Sequence, residues 1–310
     1  MCIRDRDGIE SRLVCIDRDL LVIPSLAIHF QRDINKGHTF NPQVDMQPLW
    51  GPAGSRTLTD LVAEELGVDT ADILDSDLQL VTRQAPTQIG PDGEFFMAPR
   101  IDDLECAATT LLGFLDAAAE TDSACAPVWA MLDNEEVGSS SRMGAQSSYL
   151  RDVLDRIVDA IPHSGQAMHR AMANSFMLSA DNAHAVHPNH PEYADRNDRP
   201  EMNKGIVIKH NANQRYTTDA VSAAAFEAVC RRAEVPVQSF TNRADIAGGS
   251  TLGHISAAHV SINTVDIGLA QLAMHSAYET AGAKDTEYLA AAAREFFASS
   301  FTQRGEITEI

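Results

Sequence analysis

From Phe95 onward the chain alternates between two hydrophobic periods. Apolar residues recur at helical spacing over 103–119, 144–161, 218–233 and 284–300. Between them lie short apolar runs, VWAMLD (128–133), FMLSA (176–180), GIVIKH (205–210) and INTVDIG (262–268), of strand length. Strands alternating with helices predict an α/β sheet with helices on its faces. Residues 7–93 have another texture: LVCIDRDLLVI and LQLVTRQAP have extended character, LTDLVAEELG has an amphipathic helical pattern, and GPAGS and GPDG punctuate the segment as turns. The expectation is a β-rich lobe with one short helix over 7–93, followed by an α/β domain over 94–310. The opening MCIRDR (1–6) reads as a translated sequencing-library adapter and is set aside from fold reasoning. No internal repeat is evident. The long irregular stretch is His-rich, DNAHAVHPNHPEYADRNDRP (181–200), and loops of that size inside a compact domain are usually functional or disordered.

Charge narrows the partners. Acidic residues outnumber basic ones 44 to 24, for a net charge of -20, so nucleic acid and anionic membrane surfaces would be repelled. No apolar run approaches the roughly eighteen residues of a spanning helix, and the expectation is a soluble protein with neither nucleic-acid nor membrane partners. The five cysteines are odd in number and widely spaced, with no C-x-x-C pair, which fits a reducing cytoplasm rather than a disulfide framework or a zinc knuckle.

In α/β sheets ligand groups gather beyond the carboxyl ends of strands. Several acidic residues sit there: Asp133, Glu135 and Glu136 in MLDNEEVGS, Asp181 in FMLSAD, and Asp102 and Asp103 at a loop-to-helix junction in FMAPRIDD. Crowded carboxylates raise one another's pKa unless a cation compensates, so a divalent metal accounts for them. Oxygen and imidazole ligands together suit zinc. Each piece also has an ordinary reading: a strand-end Asp caps a turn, a Glu-Glu pair is solvated surface, and His275 in QLAMHSAYE hydrogen-bonds structurally. Spacing alone reaches a possible metallohydrolase, in which a binuclear phosphoesterase remains open.

Six blocks in order carry a resemblance: IPSLAIHFQRDIN (23–35), APRIDDL (98–104), LDNEEVGSSSRMGAQS (132–147), SADNAHAVHPNHPEYADRNDRPEMNKGIVIKHNANQRYTTDA (179–220), GGSTLG (248–253) and TVDIGLAQLAMHS (264–276). Through them the chain resembles the M18 aspartyl aminopeptidases. The resemblance implies a zinc-exopeptidase-type mixed sheet flanked by helices, with an inserted β-rich dimerisation lobe. It also implies release of N-terminal residues, preferentially acidic, from peptides by means of two zinc ions. Carried over by position, Asp102 matches the bridging carboxylate, Glu136 and His275 complete one metal's ligands, Asp181 belongs to the other metal, and Glu135 matches the general base. Lys209 and Tyr216 match residues lining the specificity pocket, and His184 is placed near the metals; the alternatives are a solvated Lys209 and a His184 that only stabilises its loop. His29 matches a histidine that reaches into a neighbouring subunit's site, within dimers that assemble into a dodecamer. Two departures stand out. Ala273 occupies a position where serine is usual, and the family's block supplying the first metal-binding histidine has no counterpart in the 310 residues. One zinc site is therefore expected to be incomplete, and the chain, as a truncated member, to be impaired. The rival reading is a non-catalytic assembly or binding protein that keeps the M18 shell.

Overall fold

The computed structural model describes residues 2–5, 8–120, 125–162, 165–305 and 307–310. Its contacts divide the chain into two compact units, Met1–Arg83 and Gln84–Ile310. The division falls ten residues before the expected boundary at 93/94, because a hairpin spanning that boundary belongs to the second unit.

In the first unit β1 (Cys2–Asp5) lies between β2 (Gly8–Ser11) and β3 (Ile73–Asp75), antiparallel to both. The adapter-like opening thus takes part in a ladder. Between β2 and β3 come the single turn α1 (Pro42–Asp45) and the helix α2 (Leu58–Leu66). Sequence alone accounts for α2: Thr57 and Asp60 form a capping box at its start, Gly67 ends it in a left-handed conformation, and Leu61, Val62 and Ala63 are its buried face. The extended segments expected at 13–23 and 78–86 form no named strand among the described residues; their one ladder contact is a bridge between Val22 and Leu49. Arg83 instead ties two such stretches by pairing with Asp17 and Asp19. The lobe is less β-rich than its composition suggests, since extended residues become strands only where a neighbour offers backbone partners.

The second unit opens with β4 (Thr87–Ile89) and β5 (Phe95–Ala98), joined through GPDG, where Gly93 N donates to Gly90 O at 3.3 Å. There follow α3 (Ile101–Glu120), α4 (Tyr149–Asp159), α5 (Ala167–Ala173), β6 (Phe176–Ala180), β7 (Ala183–His184), β8 (Ile206–His210), α6 (Ala220–Arg232), β9 (Val237–Thr241), α7 (Leu252–Ser256), β10 (Asn263–Gly268), β11 (Ala270–Leu272), β12 (Glu279–Gly282), α8 (Ala283–Ala298) and the terminal hairpin β13 (Thr302–Arg304) and β14 (Ile307–Glu309). Four of the expected helices and three of the four expected strands are present. The exception is 128–133, which forms no strand; among the described residues its one backbone partner is Met143, whose carbonyl accepts from Asp133 N at 3.1 Å. The helix expected from 144 starts at Tyr149, because residues 138–147 are occupied by turns.

The expected mixed sheet is divided in two. One has the order β6-β10-β8-β9 and the other β4-β5-β12-β11-β7. They join at a seam where two parallel segments cross together from sheet to sheet: Asp181 N donates to Ile267 O at 3.0 Å, Ala183 N to Leu269 O at 2.8 Å and Ala185 N to Gln271 O at 2.8 Å. The core lies under the first sheet, where Ile206, Ile208, Val265 and Ile267 pack with Phe226, Val229, Leu289 and Phe296 of α6 and α8. Gly113 lets α3 approach α8 closely, since a Cβ there would lie 2.6 Å from the Ala293 side chain.

Gly268 sits at the seam, and a Cβ there would collide with the carbonyl of Asp181. Backbone cannot yield as a flexible side chain can, so Gly268→Ala is expected to destabilise the chain by about 1–3 kcal/mol. Chemical denaturation measures this; an unchanged midpoint and slope would mean that the seam relaxes freely.

Candidate metal centre

The seam and the second sheet deliver acids and an imidazole to one place. Asp181 follows β6 directly. Asp102 and Asp103 follow β5 and stand at the start of α3 with non-helical backbone angles, and His275 lies on the loop from β11 to β12. Glu135 and Glu136 lie in a short 3-10 turn, Glu135–Val137, set between left-handed Asn134 and Gly138. Asp133 closes this turn, accepting from Asn134 N at 2.8 Å. Arg100, Asn134, Ser139, Ala273 and His275 all have φ between 58° and 65°. For residues other than glycine such backbone is costly, and its concentration around one set of side chains is characteristic of functional sites.

Two groups of possible ligands share Asp102: Asp102, Glu136 and His275, and Asp102, Asp103 and Asp181, with the ligand atoms of each within 4.8 Å of one another. In the first, His275 Nε2 lies 3.1 Å from Asp102 Oδ2 and 2.9 Å from Glu136 Oε2. A ring nitrogen carries at most one proton, so it cannot donate fully to both carboxylates. In the second, Asp181 Oδ2 is 3.3 Å from Lys209 Nζ. Asp102 Oδ1 and Asp103 Oδ1 are buried with no hydrogen-bond partner. Unpartnered buried carboxylate oxygens beside an imidazole fit a divalent cation, and the nitrogen-plus-oxygen set of the first group suits zinc. The second group has only oxygens and already has an ammonium on one side.

The electrostatics agree. Burial, then the charges of Asp181 and Glu136 among others, pushes Asp102 up to about 8. Burial, then Asp181 and Glu136, raises Glu135 to about 7, with Lys209 and His275 pulling the other way. Glu136 is raised by burial against the opposing pull of His275, and Asp103 is raised by burial and Asp181. At pH 7 the metal-free cluster therefore holds protons that a cation must displace. Zinc binding at pH 7 is expected to release roughly one proton and at pH 9 markedly less, measured by titration calorimetry in buffers of different ionisation enthalpy. The same shifts set a sign for stability. A carboxyl with a raised folded pKa destabilises the fold progressively as pH climbs from its unfolded value of 3.8 through about 8 for Asp102, so the metal-free chain melts at a higher temperature at pH 5 than at pH 8.

The other sequence-selected residues are placed as follows. Lys209 is not a solvated surface cation: its side chain is 2% exposed, donates to Asn182 O at 3.0 Å, and lies 5.3 Å from the ring centroid of Tyr216, itself buried. His184 lines a cavity of about 370 Å³ together with His187, His190, Arg243, Gly249 and Ala273. Burial, then Lys209, lowers its pKa. His29 is exposed in the first unit, flanked by exposed Leu26, Ile28 and Phe30. Sequence reasoning counted Asp103 among the crowded acids without giving it a role and missed Glu279 altogether. Asp103 had a signal in standing next to Asp102, whereas nothing in QLAMHSAYETAG distinguishes Glu279 from a surface acid.

Residues 1–297 match the family described as Aminopeptidase I zinc metalloprotease (M18). The chain belongs to the M18 aminopeptidase family. Among similar M18 proteins, a probable M18 family aminopeptidase 2 from Clostridium acetobutylicum is 44% identical over 293 residues, covering 93% of this chain and 67% of the relative. A chain of the Ape4 and Nbr1 complex superposes with a TM-score of 0.90 at 35% identity, covering 96% of this chain and 61% of that one. The mApe1 dodecamer of S. cerevisiae gives a TM-score of 0.79 at 28% identity, covering 96% of this chain and 67% of that one. This member thus spans about two thirds of the length of these M18 proteins. Its mixed α/β architecture is that of the M18 aminopeptidases. Among its described residues no helix is long and apolar enough to cross a membrane.

Proposed function

We propose that the chain forms the larger part of a zinc aminopeptidase that releases single N-terminal residues from peptides, with a preference for acidic ones. The observation that carries this reading is the pair of ligand groups sharing Asp102, with Glu135 beside them. Asp102, Glu136 and His275 would hold one zinc ion, and Asp102 and Asp181 would hold part of a second site. When bound, the ions supply Lewis acidity toward water and the scissile carbonyl. Glu135 takes the proton of the attacking water on a carboxylate oxygen and returns it to the leaving amine, a role for which a carboxyl raised toward 7 is suited. Among the described residues the second group contains no imidazole, so the 310 residues alone are expected to bind one zinc firmly and to turn substrate over slowly.

Support for the acidic preference is a cationic setting. Lys209 lies behind Asp181, and the Arg243 guanidinium lines the neighbouring cavity, where it could meet a substrate carboxylate in competition with Asp195 and Asp198 of the same lining. Tyr216 holds Lys209 in place. A second copy of the chain is the proposed partner of the first unit, whose exposed Leu26, Ile28 and Phe30 call for cover; on that reading His29 serves the neighbouring copy's oxyanion. Cys15, Cys106 and Cys230 stand outside any disulfide, which fits a cytoplasmic setting.

The test is zinc content together with hydrolysis of Asp-, Glu- and Leu-linked chromogenic anilides, on this chain and on one extended to the length of its relatives. Zinc-dependent release, fastest with the acidic substrates, is expected of the longer chain. A zinc-loaded protein that hydrolyses none of them would leave the assembly reading in its place.

A further inference from the structure

Glu279 is 2% exposed, and both of its carboxylate oxygens are committed. Oε2 accepts the backbone N–H of Asp102 at 2.9 Å, and Oε1 accepts that of His275 at 2.6 Å. These two amides belong to residues on either side of one candidate zinc site, delivered by chain segments far apart in sequence. Without a cation the side chains meet through one shared nitrogen, His275 Nε2, 3.1 Å from Asp102 Oδ2 and 2.9 Å from Glu136 Oε2, and a bound zinc would take that nitrogen from both carboxylates, leaving the two amides as the remaining tie. Left-handed backbone also lies near both residues, at Arg100 two positions before Asp102 and at His275 itself. Strained backbone persists only where its surroundings over-determine it, and here a buried carboxylate grips the two ends.

Glu279 can do this because of its register. It opens β12 opposite Ala98 of β5, the strand that runs into Asp102, and the β11–β12 loop carrying His275 ends on it. One side chain at this point reaches both amides. We infer that Glu279 is a positioning residue: a buried carboxylate clamp that sets the spacing of Asp102 and His275, and so the zinc affinity of the site, without touching the metal or the substrate. The inference rests on the metal centre proposed above. It is independent of which peptide is cleaved.

Glu279→Gln keeps the shape but replaces one accepting oxygen with an NH2 group, which must face either the Asp102 or the His275 amide donor to donor. Zinc affinity, measured by competition with a chromogenic chelator, is expected to fall about 10–100-fold, as for other groups that orient metal ligands. In the chain extended to the length of its relatives, kcat should fall at subsaturating zinc and recover in excess zinc, with KM little changed. A packing role alone would lower the melting temperature of the metal-free protein and leave zinc affinity untouched. Equal zinc affinity in the wild type and a folded Glu279→Gln variant overturns the inference while sparing the metal centre; failure of the wild type to bind zinc overturns both. Should the variant not fold, hydrogen exchange in the metal-free wild type decides: slow exchange at the Asp102 and His275 amides supports the clamp, and exchange at loop rates overturns it.

Discussion

Asp102→Ala is expected to remove the zinc-induced stabilisation of the chain completely while leaving the metal-free protein at least as stable as the wild type. Asp102 is the residue common to both ligand groups, so its loss disables them together. A ligand at about one hundred times its dissociation constant stabilises a fold by about 2.7 kcal/mol, and the wild type should gain on that order when titrated with zinc. The variant should gain nothing. Without metal the sign reverses, because Asp102 is a buried carboxyl whose ionisation is opposed by Asp181, Glu136 and Glu279; removing it relieves that repulsion. Thermal melts of both proteins with and without zinc measure both effects. A zinc shift retained in the variant would mean that the cation binds elsewhere.

Glu135→Gln is expected to lower kcat by about 10²–10⁴-fold with zinc content and KM close to wild type. Glu135 belongs to neither ligand group, yet Asp181, Glu136, Lys209 and His275 all act on its charge. It is therefore placed to move a proton beside the metals without holding one. An amide cannot accept that proton, so the part of the pH–rate profile governed by this carboxyl should vanish as well. Zinc content and steady-state kinetics of the chain extended to the length of its relatives settle it; a variant that loses zinc would show Glu135 to be a ligand instead.

The second unit was largely legible in the sequence, and the reasons are local. FMLSA, GIVIKH and INTVDIG are short apolar runs because β6, β8 and β10 pack against the core, and Asp181 stands out at the end of the first. VWAMLD carries the same signature and forms no strand, since a ladder depends on a neighbour that no local pattern reveals. The same holds for 13–23 and 78–86 in the first unit. Asp102, Glu136, Asp181 and His275 could be picked out by resemblance, and the structure brings them together. What the sequence could not convey is how they are held. Lys209 could be matched to a pocket residue or left as a solvated cation until β8 carries it into the interior, and Glu279 becomes visible only when β12 is set beside β5.

The clamp on Asp102 and His275 also has a bearing on the newborn chain. Glu279 stands 177 residues after Asp102. At a synthesis rate of about 5–20 residues per second, roughly 9–35 s pass between the two leaving the decoding centre. For nearly all of that interval Asp102 and Asp103 lack His275, and for all of it they lack the clamp, so zinc cannot be held in its final geometry before Glu279 is made. Loading in that geometry has to wait until Glu279 has emerged and β12 has closed beside β5.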